Sequence, residues 1–476
     1  MKKHIPFFIL LFVILSLHLF KVISDVRPFF DWDEGIYAEV GREMIREHSY
    51  LVPLWQGKAW LDKPPLPSLV YGLTSFVPLQ PEITMRVVSV LISGVALTLL
   101  YLFSFRVSSS VLVSLLTVVM TSYLGPFLQR TQVLNVDVFL LIGWLGYALF
   151  YKRLYWGMLF LLIGVLSKSL LGYFPVAMIF LFETYEFYIH KKRKYKDEYN
   201  QFLQHTAIQV GVSLLWFIWM YTQYKDEFIQ YHIIDSHFKR VTASIEQHFG
   251  QRTFYIDIII AQFKWFLVPA VISIGVLVYE FFVKKRKDAF FALMFLPWFL
   301  FLNLTKTKIA WYIYPVLPQF AFLSVYLIRY IPRDWMKLIA VGAVLYFFFT
   351  TITPIDSYLT TKYSSWDEHI RISQDAHSVG CSEVSILVSE TSRTAYETLS
   401  SMDLVIHTTT WWGEHPAMAY YADIPTQYYY SVTAFEKRFA SGKPTSCFIM
   451  ESADWNESWG MRVLSKNAKY YLGVMP

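Results

Sequence analysis

Closely spaced acidic and basic side chains occupy the segment 29–73, which reads FFDWDEGIYAEVGREMIREHSYLVPLWQGKAWLDKPPLPSLVYGL. Asp33 and Glu34 stand near its beginning, and Lys63 precedes a pair of prolines. The apolar residues within 34–47 recur with helical spacing, which predicts an amphipathic helix along a membrane surface with Asp33-Glu34 at its N-terminus. A carboxylate in that position can accept a proton from an attacking hydroxyl as a general base. The alternative is a helix-capping role, which is worth about 0.3–1 kcal/mol.

The elements that must position these residues are mainly apolar helices. Of the 476 residues, 55% are hydrophobic, 19% are aromatic and 16% are charged, and the mean hydropathy is +0.38. An average soluble domain is about 25% charged, so the composition disfavours a soluble enzyme and excludes a disordered, collagen-like or disulfide-rich chain. A membrane helix needs about 20 apolar residues, and the apolar runs predict about eleven spans. The predicted spans are 5–24, 84–105, 107–127, 133–151, 155–167, 169–189, 206–221, 260–283, 289–303, 310–328 and 338–353.

The distribution of basic residues predicts the orientation of these spans. If Lys2 and Lys3 lie in the cytoplasm, every compact basic cluster falls on the cytoplasmic side, as the positive-inside rule requires. The pattern holds only if 155–189 crosses the membrane twice, as a hairpin that carries Lys168 at the outer face. The sequence therefore predicts an integral protein of the cytoplasmic (inner) membrane, with its N-terminus in the cytoplasm. The clusters are Arg106, Lys152-Arg153, 191–194, 284–287, and Arg329 with Arg333 and Lys337.

Three long segments then lie outside the membrane, namely the outer loops 25–83 and 222–259 and the tail 354–476. Short apolar stretches of the tail alternate with polar stretches that are compatible with helix, which predicts a small α/β domain. The predicted fold class is mainly α: a polytopic membrane helical bundle over 1–353, with a C-terminal α/β domain on the outer face.

Basic residues are scattered over the same outer side. Lys168 lies in an otherwise apolar hairpin tip, GVLSKSLLGYF, and Lys306 and Lys308 precede an apolar helix in NLTKTKIAWYIYPVLPQ. Cations at the boundary between water and membrane need partners, and a lipid phosphate is one that fits. Snorkelling to lipid headgroups would explain each cation singly. Together with the Asp-Glu pair, the set favours a lipid-phosphate substrate and base-assisted transfer. The full set is Lys63, Arg86, Arg130, Lys168, Lys239, Arg240, Arg252, Lys264, Lys306 and Lys308.

Six motifs follow one another along residues 5 to about 330. They are DWDEGIYAEVGREM, LDKPPL, Arg86 at the start of the second span, RTQVLNVDVFLL, GVLSKSLLGYFP and LTKTKIAWYIYPVLPQFAFL. This succession resembles the C-type membrane glycosyltransferases of the protein O-mannosyltransferase and lipid A aminoarabinose transferase superfamily. The aminoarabinose branch usually carries an arginine before the tyrosine of the first motif, whereas here Gly35-Ile36 precede Tyr37.

The resemblance implies a hexosyl- or pentosyltransferase that uses a polyprenyl-phosphate-linked sugar and a lipid, glycan or protein acceptor. It implies that Asp33 is the catalytic base, with Glu34 beside it, and that Lys63 contacts the donor phosphate. The segment 222–259 resembles the mobile loop of the family, on which Arg240 and His248 would approach the donor. The further implied donor-site residues are Arg86, Arg130, Asp137, Lys168, Lys306, Lys308 and Tyr312.

The chemistry of such a transfer requires no cofactor. One phosphodiester can be bound by lysine and arginine alone, so a divalent metal is compatible with the reaction but not required. Attack from the face opposite the phosphate predicts inversion at the anomeric carbon. His232, His237 and His248 fit a polar loop better than a metal site. The Trp411-Trp412 pair of the tail could stack on a sugar ring or pack in a core.

Two other function classes are compatible with many spans. A secondary transporter would show inverted repeats and charges near the membrane midplane, whereas no repeat is visible and the charges gather at one face. A membrane receptor or scaffold that binds a partner outside would leave the outer cations and the first-loop carboxylates unexplained. Within the same fold, an oligosaccharyltransferase would usually show additional acidic motifs for a metal. None of these readings implies a nucleic-acid partner.

Overall fold

The computed structural model describes residues 2–30, 32–190, 193–352, 365–406 and 415–476. The chain divides into two compact units, each built from three separate segments. The helical unit contains Met1–Asp25, Arg86–Asp226 and His248–Thr361; the mixed unit contains Val26–Met85, Glu227–Gln247 and Lys362–Pro476. The segments of the mixed unit overlap the three segments that the charge pattern assigns to the outer side. Lys191, Lys192 and the Trp411-Trp412 pair lie outside the described residues.

Apolar helices dominate the chain. Within the described residues, seven helices are long and apolar enough to cross a membrane, and a pair bent by 75° adds an eighth. Two shorter apolar stretches, Asp137–Phe150 and Asp288–Leu304, accompany them. The apolar helices are Ile5–Ser24, Pro81–Ser108, Val111–Tyr123 with Gly125–Thr131, Asp137–Phe150, Leu154–Lys168, Phe174–His190, Arg193–Phe228, Phe254–Phe263, Leu267–Phe282, Asp288–Leu293, Leu296–Leu304, Leu317–Val325 and Asp334–Phe347.

A sharp turn divides the stretch 154–190 into two helices. Ser169 has φ +55°, and a Cβ atom on Gly172 would lie 2.4 Å from the backbone nitrogen of Val165. Residues seven positions apart are about 10 Å apart along a straight helix, so the chain must reverse here. The predicted hairpin is therefore present, with Lys168 at its turn. The stretch 154–189 is one of the seven long helices; counted as two, with the bent pair as one and with the two shorter stretches, the described apolar helices reach the expected eleven.

Helix Asp137–Phe150 packs tightly against this hairpin. A Cβ atom on Gly143 would lie 2.5 Å from the Cα atom of Gly164, so the two backbones touch, as small residues allow in membrane helix pairs. The ring of Trp144 stacks on Phe174 with centroids 4.6 Å apart, and its indole N–H donates to the carbonyl of Leu171 at 3.0 Å. The middle of this helix is thereby fixed against the hairpin.

The mixed unit combines short helices with two sheets. β1 (Leu54–Trp55) and β2 (Lys58–Ala59) form a small antiparallel hairpin. The larger sheet contains β3 (Glu383–Leu387), β4 (Thr426–Tyr429), β5 (Ser446–Glu451), β6 (Arg462–Lys466) and β7 (Tyr470–Val474) in the order β4-β3-β5-β7-β6. The helices are Asp33–Arg46, which we term the first-loop helix, Leu66–Gly72, a π-helix over Ile229–Lys239, Arg240–Thr242, Glu368–Ser378, Glu390–Ser401, Ala417–Ala422, which we term the tyrosine helix, and Val432–Ser441.

The larger sheet gives the C-terminal residues an α/β core. β3 runs parallel to β4 and β5, while β5, β7 and β6 are antiparallel neighbours. All four residues 384–387 of β3 are buried, as expected for a central parallel strand covered on both faces. A disulfide joins Cys381 to Cys447 on β5, with Cα atoms 5.7 Å apart. The predicted fold class, a helical membrane bundle with a small C-terminal α/β domain, is confirmed.

The first-loop helix is more deeply buried than an amphipathic surface helix would be. Its apolar Val40 and Met44 are buried, and so are the carboxylates of Glu39 and Glu43 on its polar face. A Cβ atom on Gly41 would lie 2.4 Å from the carbonyl oxygen of Ser68, so helix Leu66–Gly72 approaches its backbone directly. The predicted helix is present, but other segments of the mixed unit cover its polar face; its placement along the membrane surface stays a prediction.

Candidate active site

The Asp-Glu pair occupies the first turn of the first-loop helix. Glu34 is fully buried and its carboxylate accepts the backbone N–H of Phe30 at 2.7 Å. The preceding turn is closed by a hydrogen bond from the Gly35 N–H to the Phe30 carbonyl at 3.0 Å. Glu34 therefore stabilises the entry to the helix, whereas Asp33 is only partly buried. Of the two carboxylates, Asp33 is the one that solvent or a substrate can reach.

Lys63 is held by a buried carboxylate. Its ammonium lies 2.6 Å from Asp62 Oδ2, and the hydroxyl of Ser236, on the π-helix, donates to Asp62 as well. Burial alone would raise the pKa of the Asp62 carboxyl, but Lys63, Arg240 and the hydroxyl of Ser236 hold it well below its usual range. Asp62 is therefore a permanent anion that fixes the position of the Lys63 ammonium.

The π-helix is anchored to the same place by a histidine. His232 is buried and its Nδ1–H donates to the carbonyl of Leu61 at 2.8 Å. Asp62, Ser236 and His232 are contacts that the sequence reasoning missed, and His232 is not in a polar loop as predicted. The sequence offered one signal for this cluster, namely Asp62 directly before Lys63-Pro64. No local pattern indicates that Ser236 and His232 would contact this segment.

Arg240 and His248, assigned together to one mobile loop, fall into different units. Arg240 belongs to the mixed unit, where its guanidinium lies 3.6 Å from Glu246 and acts electrostatically on Asp62. His248 belongs to the helical unit, where its carbonyl accepts the backbone N–H of Lys308 at 3.0 Å. Lys239, beside Arg240, forms an ion pair with Asp403 at 2.6 Å.

In the helical unit, Lys168 and Asp137 form a buried ion pair. The Lys168 ammonium also lies 4.7 Å from the ring centroid of Tyr312. Asp137 begins its helix, and Asn135 just before it accepts the N–H of Val138 at 3.0 Å and donates to the carbonyl of Arg130 at 2.7 Å. Lys168 thus contacts two other sequence-predicted residues, Asp137 and Tyr312.

The remaining predicted residues of the helical unit have different surroundings. Lys308 donates to the carbonyls of Leu302 and Asn303 at 2.9 and 3.0 Å, so it caps the end of helix Leu296–Leu304, and burial lowers its pKa. Lys306 is exposed. The guanidinium of Arg130 lies over the ring of Trp311 at 4.4 Å, and Arg86 is fully buried within helix Pro81–Ser108.

The candidate residues therefore form two sets. The mixed unit holds Asp33, Glu34, Lys63 and Arg240. It therefore contains both the accessible carboxylate of Asp33 and the ammonium of Lys63, which Asp62 fixes in place. The helical unit holds Arg86, Arg130, Asp137, Lys168, His248, Lys306, Lys308 and Tyr312. Across the described ranges, no three His, Cys, Asp or Glu side chains are grouped so as to hold a metal ion.

Comparison with known proteins identifies the fold. No family model matches the sequence. An uncharacterized protein of Aquifex aeolicus (strain VF5) is 24% identical over 303 residues, which are 61% of this chain and 58% of that protein's length. The crystal structure of ArnT from Cupriavidus metallidurans, bound to undecaprenyl phosphate, matches with a TM-score of 0.67 and 15% identity over 99% of this chain and 98% of that one.

A second structural match is the archaeal oligosaccharyltransferase AglB from Archaeoglobus fulgidus, in complex with an inhibitory peptide and a dolichol-phosphate. It has a TM-score of 0.60 and 10% identity, and the match covers 94% of this chain and 70% of that one. Both proteins are C-type membrane glycosyltransferases. At these identities the matches establish the fold alone. The chain has the C-type glycosyltransferase fold that its motifs predict.

Proposed function

We propose that this protein transfers a sugar from a polyprenyl-phosphate-linked donor to an acceptor hydroxyl at the outer face of the membrane. One observation carries the proposal: the mixed unit holds an accessible carboxylate, Asp33, together with a lysine that a buried anion fixes in place, Lys63. The likeness of almost the whole chain to a structure with bound undecaprenyl phosphate supports the class of donor.

At the anomeric carbon, the reaction makes one bond and breaks one. The acceptor oxygen attacks the anomeric carbon of the sugar from the face opposite the phosphate, and its proton passes to Asp33. The bond between the anomeric carbon and the phosphate oxygen breaks, and its electron pair leaves with the polyprenyl phosphate. Lys63 stabilises the charge that develops on this phosphate. The product is the inverted glycoside.

Lys63 suits this role because its position is fixed before substrate binds. A lysine side chain loses about 1.5–2 kcal/mol of rotamer entropy on immobilisation, and here the ion pair with buried Asp62 has already removed that freedom. Lys168 is fixed in the same manner by Asp137 and is the corresponding cation of the helical unit. In each pair the carboxylate fixes the position of the cation.

The orientation proposed for the chain follows from two independent features. The basic clusters support a cytoplasmic N-terminus, since such clusters stay on that side of the membrane. The disulfide between Cys381 and Cys447 fits an oxidising compartment, which supports an outer position for the C-terminal residues. Both features are compatible with the cytoplasmic membrane of a bacterium or an archaeon.

The test uses the purified full-length protein in lipid nanodiscs with a panel of polyprenyl-phosphate sugars. We expect release of polyprenyl phosphate from at least one donor, with water as the attacking hydroxyl, and loss of that release in Asp33→Asn, because the amide cannot accept the proton of the attacking oxygen. Glu47→Gln is the matched control, since Glu47 follows the same helix and about half of its side chain is exposed. Full activity of Asp33→Asn would exclude Asp33 as the base, and cleavage of no donor in the panel would refute the transferase function.

A further inference from the structure

The first-loop helix, which carries Asp33, packs directly against the tyrosine helix of the C-terminal region. A Cβ atom on Gly35 would lie 2.8 Å from the Cα atom of Ala417 and 2.9 Å from its Cβ atom. Real Cβ atoms do not approach other atoms this closely, so the contact exists only because residue 35 is a glycine and residue 417 is small. Two residues after Asp33, the backbone therefore touches a helix that lies more than 380 positions away in the sequence.

Arg42 of the first-loop helix contacts the end of the tyrosine helix. Its guanidinium donates to the carbonyl of Tyr420 at 2.8 Å, pairs with Asp423 at 2.8 Å and lies 4.6 Å from the ring centroid of Tyr420. The last carbonyls of a helix have no partner within that helix, and an arginine that caps them also interacts favourably with the helix dipole. A planar guanidinium with several fixed donors sets both distance and angle, which a lysine does not.

The chain just before Asp33 is held by the neighbouring tyrosine. The hydroxyl of Tyr421 accepts the backbone N–H of Phe29 at 2.8 Å and donates to the carboxylate of Glu82 at 2.9 Å. The rings of Phe29 and Tyr420 meet edge to face with centroids 5.0 Å apart. The tyrosine helix thus contacts the backbone on both sides of Asp33, at Phe29 and at Gly35.

The tyrosine helix is itself tied to the sheet. The hydroxyl of Tyr428, on β4, donates to the carbonyl of His415 at 2.9 Å, just before that helix begins. The N–H of Thr426, at the start of β4, donates to the side chain of Gln56 at 2.6 Å, which links the sheet to the β1–β2 turn. The position of the first-loop helix is therefore set by the α/β core of the C-terminal region.

We infer that the C-terminal α/β region is a positioning element of the active site, which holds the Asp33 carboxylate in register through Gly35, Arg42 and Tyr421. This inference rests on the proposed function for the role of Asp33. It assigns the C-terminal region to the transfer step itself, and Arg42 and Tyr421 are positioning residues that touch neither donor nor acceptor. A displacement of a reacting group by about 1 Å can lower the rate of an enzyme about 100-fold.

Two variants test this inference, and Tyr421→Phe carries the lower risk to folding because Arg42→Gln also removes the ion-pair partner of buried Glu39. Tyr421→Phe removes one hydroxyl and keeps the packed ring, and Arg42→Gln removes the charge and keeps a polar side chain. We expect kcat for donor cleavage to fall about 10- to 100-fold in both, with KM for the donor within about twofold of wild type. Glu47→Gln is the matched control, because Glu47 directly follows the first-loop helix, is half exposed and pairs with its neighbour Arg46; its kcat should stay within about twofold.

A third variant addresses the glycine contact. Gly35→Ala should lower kcat as well, and adding Ala417→Gly should recover part of the loss, because it removes the Cβ atom that lies 2.9 Å away. A purely structural defect would instead reduce the amount of folded protein without separating kcat from KM. Wild-type kcat in Tyr421→Phe and Arg42→Gln would overturn the inference.

Hydrogen exchange gives a readout that does not depend on activity. In the full-length protein, amides 33–38 should exchange about 10-fold faster or more in Tyr421→Phe and Arg42→Gln, while amides of β3 and β5 keep their rates. Unchanged exchange at 33–38 would refute the positioning role even if no donor were ever cleaved. Inactivity of the wild-type protein on every donor, with accelerated exchange in the variants, would refute the proposed function and leave the positioning contact established.

Discussion

Two acidic side chains are buried side by side on the polar face of the first-loop helix. Glu43 accepts the backbone N–H groups of Gln56 and Gly57 at 2.8 and 3.0 Å, and Glu39 accepts the Gln56 amide at 2.8 Å and pairs with Arg42. Burial raises the pKa of Glu39 to about 7; Arg42 opposes the rise and the neighbouring Glu43 adds to it. At pH 8 the mixed unit therefore contains a carboxylate that would be more stable protonated.

The size of this effect follows from linkage. The ordinary pKa of the group is 4.5 and the folded pKa is about 7, and each unit is worth about 1.36 kcal/mol. Between these two values the folded protein holds a proton that the unfolded chain has released, so the free energy of unfolding falls as pH rises from 4.5 to 7 and then levels off. Ionised Glu39 thus costs about 3 kcal/mol at pH 8 relative to pH 4.5.

Glu39→Gln should remove most of this cost. A glutamine amide is neutral and can donate to the Glu43 carboxylate as a protonated Glu39 would, although Arg42 loses one partner. We expect the variant to be more stable than wild type at pH 8 by roughly 1–3 kcal/mol, or about 5 °C in thermal midpoint, and to lose the wild-type decline in stability between pH 5 and 7.

The assay is thermal unfolding of the full-length protein in nanodiscs from pH 5 to 8.5, followed by intrinsic tryptophan fluorescence. Glu47→Gln is the control, because Glu47 is an exposed carboxylate next to the same helix. Its thermal midpoint should match that of wild type at every pH. A Glu39→Gln variant that is equally destabilised at pH 5.5 and pH 8 would show that the hydrogen bonds of Glu39 outweigh the cost of its charge, and would refute the reasoning.

Two further predictions concern covalent and ionic links. Replacing both Cys381 and Cys447 by serine should lower the free energy of unfolding by roughly 4 kcal/mol, since the bridge closes a separation of 66 residues; an unchanged thermal midpoint would mean that the thiols are reduced in the native protein. Lys168→Met should destabilise by roughly 3–5 kcal/mol, because it leaves Asp137 buried without its cation. Adding Asp137→Asn should restore part of the thermal midpoint, and no recovery would argue against a direct pair.

The sequence predicts elements whose signal is local. Apolar length identifies the membrane helices, and the charge pattern requires the turn at Lys168, which Ser169 and Gly172 form. The alternation of apolar and polar stretches indicates the α/β tail. The position of Asp33 at a helix N-terminus is also predicted, from the helical spacing of 34–47 and from the acidic residues that mark its beginning.

Contacts between distant segments have no such signal. Whether Asp62 restrains Lys63 depends on Ser236, and whether Lys308 faces a substrate depends on the carbonyls of Leu302 and Asn303 that it caps. A basic residue near a predicted boundary looks the same in the sequence whether it is a ligand, an ion-pair partner or a cap. Counting outer cations therefore indicates the chemistry of the site but not which cation performs it.

The division of the chain at 353/354 shows the same limitation at the level of domains. The composition changes from apolar to mixed at 353/354, which predicts a separate C-terminal domain. The structure instead groups the tail with residues 26–85 and 227–247 in one compact unit. The reason is physical: Gly35 meets Ala417 at backbone distance, and removing the tail would expose the apolar surface of Phe29 and leave Arg42 without the carbonyl of Tyr420. A chain truncated at 353 would lose the contacts that hold the first-loop helix against the tyrosine helix, so the tail packs as a part of the mixed unit.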